Sequence, residues 1–162
     1  ELYGCKPNEA NAGIMKTPGE IGMMLAELME DEFREGLHVS GIADPAIWDQ
    51  RRGVSVEEQI RSAFSGVTFR KGDNTRLAGK MQFHERLRFD ERGRPKMQIF
   101  NTCRQFIRTI PSLPYDLHKV EDVDSDAEDH IYDETRYFLM ARPVPVNDPH
   151  MPKRRAFDPL AD

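Results

Sequence analysis

Apolar positions along the chain alternate between stripes at helical spacing and short continuous runs of strand length. From Thr17 and Pro18, the residues Ile21, Met24, Leu25, Leu28 and Met29 recur on one helical face, which predicts an amphipathic helix packed through its methionines. The run 37–43 after Gly36 has strand length and stops at Asp44 followed by Pro45, so Asp44 is expected at a strand end. Ser55 with Glu58 three residues on forms a capping box, and Val56, Ile60, Ala63 and Phe64 continue as a helical stripe ended by Gly66. Residues 67–69 predict a second strand, and 76–89 a helix with Leu77, Met81 and Leu87 inward.

Beyond the turn at 92–95, residues 97–100 predict a third strand. Thr102 and Gln105 suggest a second capping box before Cys103, Phe106, Ile107 and Ile110, and Pro111 and Pro114 close that helix. Ser125 with Glu128 suggests a third, opening a helix through Met140 with Ile131, Phe138 and Leu139 as its stripe. Residues 1–5 suggest an edge strand, and prolines at 143, 145, 149, 152 and 159 rule out regular structure in the tail 143–162. Strands alternating with helices predict an α/β fold with a mostly parallel sheet, whose functional residues collect at the carboxyl ends of strands.

Composition narrows the function. The 162 residues suit one domain, expected over 1–142, and no apolar run reaches the length of a membrane-spanning helix. The start lacks the order of a signal peptide, so no membrane association is expected. Cys5 and Cys103 lack CxxC spacing, which excludes a disulfide framework or a zinc knuckle; both are expected as thiols, Cys103 in the core. A net charge of −5 argues against a dedicated nucleic-acid-binding module, yet the charge is segregated. Basic residues gather over 86–96 and acidic ones over 121–134, as suits an enzyme that grips phosphates with one patch and metal ions with another, or simply two solvated faces. The chain has no phosphate-binding P-loop, no G-x-S-x-G and no H-E-x-x-H, so it is neither an ATPase by itself nor an evident serine hydrolase or zincin.

Carboxylates carry the candidate chemistry. Asp129 and Asp133 are four residues apart, on one face of the last expected helix and about 6 Å apart along its axis. With Asp44 from the strand end they could hold two divalent ions, and hard oxygen ligands favour Mg2+ or Mn2+ over zinc. The alternative is an acidic first turn that only complements the helix dipole. His130 beside them is a candidate for orienting water or phosphate, or a surface hydrogen-bonding partner. Asp122, Asp124 and Asp126 begin like a calcium loop, but Ala127 stands where its sharp turn needs glycine, and Asp133 where it needs glutamate.

The segments Gly41-Ile42-Ala43-Asp44-Pro45-Ala46-Ile47-Trp48, Ile99 to Cys103 with Ile107 to Pro111, and Glu121 to Tyr137 resemble, in order, the C-terminal region of phage large terminase subunits. The resemblance spans most of residues 2–142. It implies an RNase H-like nuclease domain of the retroviral integrase kind, a mixed sheet flanked by helices. Such a domain cuts concatemeric double-stranded DNA into genome lengths with two Mg2+ or Mn2+ ions. Asp44 matches the family's strand-end aspartate, and Asp129 or Asp133 its helix aspartate, with Asp129 ranked first. The family's first-strand aspartate would lie before Glu1 and its ATPase domain is missing, so an N-terminally truncated fragment is expected. Implied partners are double-stranded DNA, the ATPase domain of the same terminase, the portal and the small terminase subunit, in the host cytoplasm. Arg51, Arg52, Lys71, Arg76 and Lys80 are candidate contacts to the DNA backbone. A noncatalytic docking module of the packaging motor that keeps the nuclease fold is the rival reading, and a calcium-stabilised structural domain is a third.

Overall fold

The computed structural model describes Gly4, residues 12–51 and residues 53–146. The expected edge strand at 1–5, apart from Gly4, and the tail from 147 lie outside the described residues. Among the described residues, six helices and two strands follow in the order α1 (Pro18–Leu28), α2 (Glu30–Arg34), β1 (Val39–Ala43), α3 (Val56–Ala63), β2 (Val67–Lys71), α4 (Arg76–Leu87), α5 (Arg104–Thr109) and α6 (His130–Ala141). Single 3-10 turns occupy Pro45–Trp48 and Ile110–Ser112. Among the described residues no helix is long and apolar enough to cross a membrane.

β1 and β2 pair in parallel, Val39 opposite Val67 through Ala43 opposite Lys71, and α3 makes the crossover that parallel strands require. The result is a mixed α/β fold with a small two-stranded sheet. The Ser55–Glu58 capping box forms as expected, the Ser55 hydroxyl accepting from the Glu58 amide at 3.1 Å. A second box, Thr17 with Glu20, caps α1 and has the same S/T-x-x-E signature. α1 packs across α3.

The core lies where α4 meets α6. Phe83, Val123, Tyr132 and Leu139 are buried together, with Met97, Phe106, Ile110 and Leu113 against them. Phe83 stacks on Tyr132 at 5.0 Å between ring centroids. Gly79 lets the Arg136 side chain of α6 pack directly on the α4 backbone: a β-carbon there would stand 2.1 Å from Arg136 Cγ. That contact turns α4 so that Gly79, Gln82, Phe83 and Glu85 face inward, leaving Leu77 and Leu87 exposed rather than inward. Buried Gln82 satisfies the chain after α6, donating to the Val144 carbonyl at 3.0 Å and accepting from its amide at 2.8 Å.

Several local expectations differ. Residues 97–100 pair with no strand among the described residues, although Met97 reaches the core. α5 begins at Arg104 without a side-chain cap, so the Thr102–Gln105 box does not form, and Cys103 is half-buried. α6 begins at His130, not Ser125, and Glu128, instead of capping the helix, makes a two-pronged ion pair with Arg108 at 2.8 and 2.6 Å. Phe138, placed on the inward stripe of α6, is exposed, and Ile131, Tyr132, Arg136 and Leu139 take the interior.

Candidate functional site

The carboxyl ends of both strands converge on α6. Asp44 follows β1 directly and is exposed. Its Oδ1 accepts from the Ala46 amide at 2.6 Å, and its Oδ2 accepts from the Tyr137 hydroxyl of α6, also at 2.6 Å. The Tyr137 ring lies against Gly72, just after β2, where a β-carbon would come within 2.5 Å of it. Burial first, then the bond to Asp44, pushes the Tyr137 phenol up to about 12. The strand-end carboxylate is thereby fastened to the helix that carries the other two.

Asp129, Asp133 and Tyr137 follow one another at four-residue steps, about 6 Å of axis each, along one side of α6. Arg136 holds Asp133 Oδ1 through Nε at 3.1 Å and Nη2 at 3.0 Å, from a position that is 1% exposed. Asp129 is itself 8% exposed, and its carboxyl is raised above the ordinary range by burial and then by the Asp133 charge, with Arg76 opposing.

Arg76, the first residue of α4, enters this cluster. Its Nε donates to Asp122 Oδ2 at 2.5 Å and its Nη2 to the Val123 carbonyl at 3.3 Å. Nη1 stands 3.5 Å from Asp133 and Nη2 3.8 Å from Asp129. Burial works against the Arg76 charge, but Asp122, Asp133 and Asp129 together more than restore it. The Tyr132 hydroxyl is buried without a hydrogen-bond partner among the described residues, as is Arg136 Nη1. Burial, then the Asp122 charge, pushes the Tyr132 phenol up to about 12.

The structure thus brings Asp129 and Asp133 around one guanidinium and joins Asp44 to them through Tyr137. Among the described residues, no group of three or more His, Cys, Asp or Glu side chains is gathered to hold a metal ion. The cluster's donors are hard oxygens, the class that Mg2+ and Mn2+ take, and Asp129 is a buried carboxylate whose contact to Arg76 is beyond hydrogen-bond reach, but Asp122 and Asp133 are already paired with Arg76 and Arg136.

The other basic candidates are dispersed. Arg51 folds back on Asp49, its Nε donating at 2.7 Å. Lys71 at the end of β2 lies over the Trp48 ring at 5.7 Å from its centroid. Lys80 donates to the Glu121 carbonyl at 2.6 Å and covers the Tyr115 ring. Arg52 lies outside the described residues. His130 is exposed at the start of α6.

Sequence reasoning missed Tyr137, Tyr132 and Asp122 as members of the site. Tyr137 carried a signal, since it continues the four-residue spacing of Asp129 and Asp133. Asp122 carried none, because its partner Arg76 is 46 residues away. Comparison of the chain with protein families, with characterised proteins and with solved structures finds no match.

Proposed function

We propose that this chain is part of an RNase H-like nuclease domain of a phage large terminase subunit, a metal-dependent endonuclease acting on concatemeric double-stranded DNA. The observation that carries the reading is the 2.6 Å hydrogen bond from Tyr137 to Asp44. It ties a carboxylate at a parallel strand end to the helix side that bears Asp133 and Asp129, the arrangement in which carboxylates from separate elements flank a scissile phosphate.

In this reading Asp44, Asp129 and Asp133 are the ligands of Mg2+ or Mn2+. Bound there, two such ions lower the pKa of an attacking water and stabilise the leaving oxygen. Arg136 fixes the Asp133 carboxylate in one rotamer, and Tyr137 does the same for Asp44, so both oxygens are oriented before DNA arrives. Lys71, exposed at the end of β2, is the candidate nearest the strand ends for the DNA backbone, whereas Arg51 would first have to leave Asp49. The ATPase domain of the same protein, the portal and the small terminase subunit are the partners this reading implies, in the host cytoplasm.

A second reading is favoured by one observation: Arg76 contacts Asp122, Asp133 and Asp129 together, an ion-paired cluster of the kind a noncatalytic docking module of the packaging motor would keep. Mn2+-dependent nicking of supercoiled plasmid separates the two. The nuclease reading expects nicking by the chain and its loss in both Asp44→Ala and Asp129→Ala. Nicking that survives both substitutions, or no nicking even by a chain extended upstream, would favour the docking module, whereas nicking restored by that extension keeps the nuclease reading.

A further inference from the structure

The acidic cluster sits at the first turns of α4 and α6, and the opposite end of α4 is basic. Arg86 and Arg88 close that helix, and the turn that follows adds Arg92 and Arg94 before Lys96. The turn is closed by its own hydrogen bonds. Phe89 bridges antiparallel to Pro95, Gly93 takes a φ of 69°, and Asp90 Oδ1 accepts from the amides of Arg92 at 2.9 Å and Arg94 at 2.8 Å. The Met97 amide then donates to the Arg86 carbonyl at 3.0 Å and ties the chain back to α4.

Two of the acids beside these residues serve the structure. Asp90 builds the turn, and Glu85, whose side chain is 2% exposed, is paired with Lys96 and lies 3.5 Å from Arg88 Nη1. One buried carboxylate thus positions two cations whose side chains stay largely open to solvent. Arg92 pairs with no carboxylate among the described residues. Arg88, Arg92 and Lys96 line an open groove of about 430 Å³ together with the ring of Phe89, which is 68% exposed; Glu85, Asp90 and Glu91 are its acids.

Cations that line a groove beside an exposed aromatic ring suit an unpaired nucleic-acid strand, whose phosphates meet the charges while a base stacks on the ring. The charge of the rest of the chain narrows the choice. The net charge is −5, yet the segment 85–96 carries five basic residues against three acidic ones, so the remainder is more acidic still. A duplex or an anionic membrane covers more surface than this groove and would meet that acid, whereas a single strand is narrow enough to be held by the basic turn alone.

We propose that the groove between the end of α4 and the turn after it binds an unpaired nucleic-acid strand, with phosphates on Arg88, Arg92 and Lys96 and a base stacked on Phe89. The inference does not rest on the metal-site reading. Arg76 and Arg88 are twelve residues apart, about 18 Å along the helix axis, and strand binding needs no divalent ion.

Fluorescence anisotropy of labelled oligothymidine with the full chain in EDTA tests it. Binding should weaken with salt, with a log–log slope of about 2 for three phosphate contacts on a single strand. Arg92→Gln should weaken binding and lower that slope by about 0.7. Phe89→Ala should weaken it by about fivefold or more, the loss of one stacked base, and Phe89→Trp should retain it. Arg34→Gln, which removes the same charge from α2, should leave binding unchanged. Circular dichroism checks the fold of each variant, and Phe89→Leu, which keeps apolar bulk without a ring, replaces the alanine variant if that one does not fold. No binding, binding that survives both Arg92→Gln and loss of the Phe89 ring, a duplex bound as tightly as the single strand, or phosphatidylserine vesicles bound through the same residues would each overturn the proposal. The two readings fail separately: strand binding without nicking even by the upstream-extended chain keeps the groove and removes the nuclease, whereas nicking by a chain that does not bind oligothymidine does the reverse.

Discussion

Gly79→Ala probes the contact on which the whole site is hung. An added β-carbon would stand 2.1 Å from Arg136 Cγ and 2.5 Å from its Cδ, whereas relaxed carbon contacts lie at about 3.5–4.0 Å. More than an ångström of movement is needed, and Arg136 has little to give. It is 1% exposed, its guanidinium is bonded to Asp133 and lies over the Tyr137 ring at 4.7 Å. Helix propensity alone would favour alanine by about 1 kcal/mol. Overpacking costs about 1–3 kcal/mol, and loosening a buried ion pair adds up to about 3–5 kcal/mol if one partner is lost entirely. A net destabilisation of about 1–4 kcal/mol is expected, a fall in Tm on the order of 5–10 °C for a chain of this size. Urea unfolding followed by circular dichroism measures it. In a double-mutant cycle the penalty should largely vanish on an Arg136→Ala background. A Gly79→Ala chain as stable as the parent, or more stable by the propensity gain, would refute the close packing of Arg136 on α4.

Two predictions concern titration. Tyr132 and Tyr137 both have phenols pushed up to about 12, above the ordinary value near 10, so they favour the fold while protonated. Their contribution is complete below about pH 10 and is lost as the pH rises through about 12; phenolate absorbance should show both titrating late, and titration of all tyrosines at the ordinary pH in the folded chain would count against their burial. Asp129 has a carboxyl raised by burial and by Asp133, so its charged form opposes folding. Asp129→Asn should therefore gain stability relative to the parent as pH rises from the carboxylate range to neutrality, offset only slightly by the loss of a partly exposed contact to Arg76 worth about 0–1 kcal/mol. A stability difference that does not change with pH in urea titrations would contradict the burial of that charge.

Much of the scaffold was legible because it is local. The Ser55–Glu58 box, the two strands and the position of Asp44 all follow from spacings of a few residues, and each forms as expected. What failed to form was decided at long range. Glu128 has the spacing of a capping residue, yet it pairs instead with Arg108, twenty residues earlier. Leu77 and Leu87 fit a helical stripe, but the Gly79–Arg136 contact rotates α4 off that face. Arg76 illustrates the same limit at the site: a basic residue at a helix start reads as a phosphate contact, and only folding brings Asp122, Asp129 and Asp133 to it.

The dipole explanation of the acidic turn can now be weighed against a site. An aspartate at a helix N-cap normally turns its side chain onto the free amides of the first turn. Asp129 occupies that position, and its carbonyl accepts from the Asp133 amide at 2.9 Å, but its side chain makes no capping bond. Asp133 likewise faces Arg136 and Arg76 rather than the helix amides. Both carboxylates are therefore oriented by the cluster and away from the groups a purely dipolar role would have them meet. Had the acids served only the helix, an exposed side chain would have sufficed; burying the Asp129 carboxylate costs stability that dipole compensation does not require. A buried carboxylate that makes no bond to the first-turn amides is what a capping role does not explain.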